Sequence, residues 1–143
     1  MAADAWVVHD RFKEYKGDNT IDMDNDTFVM RLYTSASNIA TTSVGDATTA
    51  TNELSTANGY TAGGQTVAAT WVRSGGTVTF DVADASWTAV GALTARYAAI
   101  VDTTTTPDEV VAHCLLDNTP ADVTATDAAF NVNINASGVF AEA

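Results

Sequence analysis

A mainly β domain, an antiparallel β-sandwich or partly closed barrel behind one short N-terminal helix, is the fold this sequence predicts, and three observations predict it. From Thr27 onward apolar residues recur at every second position in one short run after another. Clusters of Gly, Asn and Ser separate those runs. The polar residues are rich in Thr, which with Val favours pleated sheet. At 143 residues the chain is read as one domain, residues 1–143. A domain of that size buries roughly two thirds of the surface its unfolded chain exposes.

The helix is expected over about residues 4–16. Asp4 is a candidate N-cap, Ala5, Val8, Phe12 and Tyr15 repeat along one face, and Gly17 stops the run. Phe28, Met30 and Leu32 then share a strand face, followed by Val67, Ala69 and Trp71, and by Val78, Phe80 and Val82. Ser74-Gly75-Gly76 between the last two runs supplies a tight hairpin turn. Leu93 to Val101 alternates as one strand, while Val110 to Leu116 is apolar on both faces, as a central strand must be. Phe130, Val132 and Ile134 alternate with Asn131, Asn133 and Asn135, and Ser137-Gly138 turns the chain into a last strand at Val139-Phe140. Two stretches are expected as loops, Ser35 to Asn52 and Asp102 to Asp108. The first is long enough to wrap a neighbouring subunit.

Six basic against 18 acidic residues give a net charge of −12, with Arg11, Lys13, Lys16 and Arg31 crowded toward the start. Such a charge repels a nucleic-acid backbone, so no nucleic-acid partner is expected. No run approaches the roughly 20 apolar residues of a membrane helix, so no membrane partner is expected either. The start, Met1-Ala2-Ala3-Asp4, lacks the basic and apolar regions of a signal peptide, so synthesis and first folding in a cytoplasm are expected. Cys114, the single cysteine, forms no intrachain disulfide.

The candidate sites are sparse. Asp22, Asp24 and Asp26 alternate like calcium ligands, but Thr27 and Tyr33 stand where an EF-hand loop needs Gly and Glu, so a solvated acidic turn is expected and no metal. His113 and Cys114 are neighbours in a strand and therefore point to opposite faces, which removes a thiol-imidazole dyad. Asp81 and Asp84 before Trp87 would suit a glycosidase only if two carboxyl groups faced each other. Trp71, Trp87, Tyr60 and Tyr97 would make either a sugar platform or a core. No catalytic residue and no cofactor is assigned, and no enzyme is expected.

Asn52-Glu53-Leu54-Ser55 and Gly59-Tyr60-Thr61-Ala62-Gly63-Gly64 resemble motifs of small virion structural proteins of tailed bacteriophages. Further matching pieces follow in order: Phe12-Lys13-Glu14, Asp26-Thr27-Phe28, Phe80 to Asp84 with Trp87-Thr88, Thr94 to Ala98, and Ser137 to Phe140. Together they span nearly the whole chain. The resemblance implies a capsid decoration, cement or head-fibre type of protein on the virion surface, with the major capsid protein as partner, acting as a monomer per subunit or as a homo-oligomer such as a trimer. Gly59, Gly63 and Gly64 are then expected to permit a sharp chain path, with Tyr60 packing beside them. Arg11, Lys13 and Lys16 on the starting helix are the expected capsid-docking residues. A host-surface or polysaccharide-binding module on a fibre or tail is the other reading.

Overall fold

A computed structural model describes residues 3–143. The elements are β1 (Val7–Val8), α1 (Asp10–Gly17), β2 (Phe28–Tyr33), β3 (Gln65–Val67), β4 (Ala69–Ser74), β5 (Thr77–Val82), β6 (Ala85–Thr88), β7 (Ala92–Ala95), β8 (Tyr97–Asp102), β9 (Glu109–Leu115), β10 (Val123–Thr126), β11 (Ala129–Val132) and β12 (Phe140–Glu142). A five-stranded sheet runs β1-β9-β8-β2-β3, beside a three-stranded sheet β12-β5-β4 and the pairs β10-β7 and β11-β6. Every ladder is antiparallel, and among the described residues no sheet closes on itself. The fold is therefore mainly β and sandwich-like, and the barrel alternative falls away.

The apolar run at β9 is central, between β1 and β8, and six of its seven residues are buried. Both faces of this sheet are covered, by different material. Phe28, Met30, Leu32, Ala98, Ile100, Val111 and Ala112 face the main core, shared with Phe80, Trp87, Leu93 and Phe130 from the smaller sheets. Val29, Tyr33, Ala99, Val101 and Val110 face a second cluster, closed by Ile39 and Val44. Those two residues lie in the Ser35 to Asn52 stretch, which therefore folds back over its own sheet. It is pinned there by main-chain bonds from Val110 N to Gly45 O and from Ala47 N to Asp108 O, both 2.8 Å.

Two expected strands are each divided between sheets. Val67 pairs with Phe28 in the five-stranded sheet, whereas Trp71 pairs with Phe80 in the three-stranded one. Leu93 to Val101 crosses at Arg96, leaving Leu93 and Ala95 in the main core and Ala99 and Val101 in the second cluster. The Gly75-Gly76 hairpin forms as expected, with Ser74 opposite Thr77.

The helix is shorter than expected. Residues 4–9 are extended, Asp4 N donates to Leu115 O at 2.9 Å, and Val7 and Val8 pair with His113 and Ala112. His9, not Asp4, occupies the N-cap position, with ψ 152° and no side-chain cap. β-branched Val7 and Val8 beside an open strand edge gain a ladder there, while an isolated helix of this length is marginal in water. Phe12 anchors the remaining helix and is wholly buried.

Because Ile39 fills the second cluster, Ile39→Ala should destabilise the protein by about 3 kcal/mol in urea unfolding. A loss under about 0.5 kcal/mol would mean that this segment does not cover the sheet in solution.

Candidate functional site

The three basic residues expected at a docking face diverge. Arg11 turns inward, donating from Nε to Glu109 Oε1 and from Nη2 to Glu109 Oε2 and Asp46 Oδ2, each at 2.7 Å. Glu109 is 1% exposed, so the guanidinium neutralises a buried carboxylate through a two-point contact. Burial pushes the Asp46 carboxyl up, but hydrogen bonds from Thr48 and Arg11 outweigh it and hold it at about 2. Lys16 lies over the rings of Trp71 and Phe140 and pairs with Glu142, and burial lowers its pKa. Lys13 alone of the three points to solvent, its side chain 60% exposed and only loosely paired with Asp10 at 3.4 Å.

The glycine-tyrosine motif is an internal latch. Tyr60 is buried, donates its hydroxyl hydrogen to Glu53 Oε1 at 2.7 Å and accepts the Leu32 N–H at 3.1 Å. The same Glu53 oxygen accepts the Gly63 N–H at 2.6 Å. Gly59 and Gly64 have φ of 91° and 80°, and a Cβ on either would meet Thr88 O at 2.0 Å or Met30 O at 2.2 Å. Only glycine fits these approaches. The motif thus fastens the loop before β3 against β2 and the end of β6.

The other singled-out residues are mostly structural. Asp22 accepts the N–H groups of Asp24 and Asn25, so the acidic turn folds on itself. Asp84 accepts the Ile134 N–H at 2.7 Å, while Asp81 is half-buried in β5. Trp87 is 7% exposed and packs on Tyr60 and Phe130, which removes both Trp87 and Tyr60 from any sugar platform. Cys114 faces the main core, where burial pushes its thiol up to about 12.

Two features lie outside the sites the sequence singles out. His9 and His113, 104 positions apart, meet inside the protein, with His9 Nδ1 2.6 Å from Val44 O and His9 Nε2 2.9 Å from His113 Nδ1. A carbonyl only accepts, so His9 donates from Nδ1 and its Nε2 takes the proton of His113 Nδ1. That chain needs His9 neutral, with Nε2 free to accept, and burial lowers both pKa values, His113 to about 4. The second feature is a groove of about 790 Å³ between the N-terminal segment and β11, with Trp6, Leu116 and Ile134 on its walls and Asn131, Asn133 and Asn135 beside them. The asparagine alternation marked an outward face, but Trp6 was hidden in a stretch read as helix.

No family model, no curated protein and no solved structure matches this chain.

Arg11→Ala leaves Glu109 buried without its cation and should cost about 3 kcal/mol, whereas Lys13→Ala should stay within about 0.5 kcal/mol, both by urea unfolding. Equal costs would show that the buried cluster does not hold in solution. For His113, whose folded pKa lies below the unfolded value of 6.5, stability is fully present above pH 6.5 and is lost as pH falls toward about 4. The unfolding free-energy advantage of the wild type over His113→Gln, measured in urea, should shrink across that window by an amount on the order of 3 kcal/mol. An advantage that is constant from pH 7 to 4 would mean that the histidine pair is not buried in its neutral form.

Proposed function

We propose that this chain is a structural protein of a tailed-phage particle, a capsid decoration or cement protein that binds the outer shell and stabilises contacts between capsid subunits. The observation that carries the reading is how the fold places its cations. Arg11, Lys16, Arg31 and Arg96 are each paired with a carboxylate of the same chain. The excess of 12 negative charges therefore governs the exterior. Such a surface resists self-association and non-specific contact, which suits a body displayed at high density.

Binding of this kind requires no bond chemistry. A protein that binds only the assembled shell stabilises it by mass action, and many modest contacts on one particle add through avidity. Lys13, exposed on α1, is the basic residue of the three that is free to meet an acidic shell. The resemblance carried by the Asn52 to Ser55 and Gly59 to Gly64 motifs supports the phage assignment. A host-surface or polysaccharide-binding module on a fibre or tail is favoured by one specific feature, the groove where Trp6 lies beside Asn133 and Asn135. An aromatic face next to uncharged amides is a surface that sugar rings fit.

Location separates the two. Heads and tails from disrupted virions, each quantified by mass spectrometry, should show the chain on heads in many copies. A few copies confined to tails would overturn the decoration reading and favour host recognition.

A further inference from the structure

We propose that Asp102 and Asp26 together bind a hard divalent cation, calcium in the first place, at the end of the five-stranded sheet beneath the acidic turn. Asp102 ends β8 and is wholly buried. One of its carboxylate oxygens, Oδ1, accepts the Thr104 N–H at 2.8 Å, while Oδ2 is buried with no basic or amide donor to bond it, its neighbour being the carboxyl group of Asp26. A buried carboxylate oxygen left in that state is costly, and a positive charge removes the cost.

No basic side chain supplies it. Among the described residues, none of Asp22, Asp24, Asp26 and Asp102 takes part in a salt bridge. The neighbour within hydrogen-bonding reach of Asp102 is another carboxyl group, Asp26, which is half-buried and is fixed by accepting the Asp22 N–H at 2.9 Å. The two strands of loop that carry the pair are stitched together by Thr27 N to Thr104 Oγ1 at 2.8 Å and Thr103 N to Thr27 O at 2.9 Å. The two carboxyl groups are thus kept within reach of each other by bonds that do not depend on an ion.

Oxygen-only donors select calcium or magnesium over softer metals, and the flexible coordination of calcium suits an irregular loop pair better than the strict octahedron of magnesium. Among the described residues no three His, Cys, Asp or Glu side chains gather at one point. The ion would therefore take two carboxylates and complete its shell with water or main-chain oxygens. A site with so little protein charge is weak, with a dissociation constant of about 0.1 to 1 mM, as in modules that work outside cells.

The test is the melting temperature of the purified chain at pH 7.5 with 10 mM calcium chloride, against sodium chloride at equal ionic strength, with calorimetric titration alongside. Wild type and Asp24→Asn, whose exposed carboxyl lies outside the pair, should gain about 5 °C from calcium. Asp26→Asn should lose that gain, as should Asp102→Asn if it folds; Asp26 is partly exposed, so its variant keeps the test open if Asp102→Asn does not. An equal gain in wild type and Asp26→Asn would reduce the effect to screening of a surface with 12 excess negative charges and overturn the site. No gain in wild type would overturn it too, and Asp102→Asn as stable as wild type would then show that the pair shares a proton.

Discussion

One guanidinium joins the parts that the two-sided sheet requires. β9 begins with Glu109, a carboxylate 1% exposed at the start of a strand whose only other polar side chain is His113. Left unpaired, that charge would cost several kcal/mol. Arg11 meets it from α1 and at the same time holds Asp46 in the segment that covers the second face. One side chain therefore bonds helix, central strand and covering segment together, beside the main-chain bonds that pin the segment to the sheet. Gly45 completes the arrangement, since a Cβ there would lie 2.5 Å from the Arg11 guanidinium carbon. With the cover in place, Val29, Val101 and Val110 become core residues, and the sheet gains a second apolar layer without a second sheet.

That arrangement explains which parts of the fold could be read from the chain. β9 was legible because burial on both faces leaves a continuous apolar run, and the β4-β5 hairpin because Gly75-Gly76 has few other uses between two alternating runs. The crossings at Ala68 and Arg96 were not, because a strand that changes layers keeps its period of two and shows no break in pattern. Residues 4–9 misled for a related reason: Ala5 and Val8 fit a helical spacing with Phe12, yet Val8 is drawn into the β9 ladder by tertiary contact. The covering segment buries only Ile39 and Val44 in the second cluster, with Ala47 and Ala50 partly buried against it, and these positions make no regular period. The His9-His113 and Asp26-Asp102 meetings join distant positions, and nothing local in the sequence marks either.

The motifs that carry the phage resemblance fall largely on interior positions. Tyr60, Phe80, Val82, Trp87, Ala95 and Val139 are all buried, and Gly59 and Gly64 are locked against main-chain oxygens. Glu53 binds Tyr60 and Gly63 with one oxygen while its other faces Arg31. Residues with these tasks specify a chain path. What a particle protein touches must instead be sought among residues outside those motifs, such as Trp6 and the β11 asparagines beside the groove.

Charge placement then sets the terms of any dense array. Like-charged bodies repel, but at physiological salt that repulsion fades beyond a Debye length of about 8 Å. Copies held a short distance apart by separate sites on a shell feel little of it, whereas free copies that try to touch meet the full field. An acidic exterior on which four of the six cations are paired with carboxylates of the same chain therefore opposes association in solution more than it opposes crowding on a fixed lattice. On the proposed reading, contact with a shell would come from what the acidic field leaves open: Lys13 on α1, the exposed Arg73, and the Trp6 and asparagine walls of the groove.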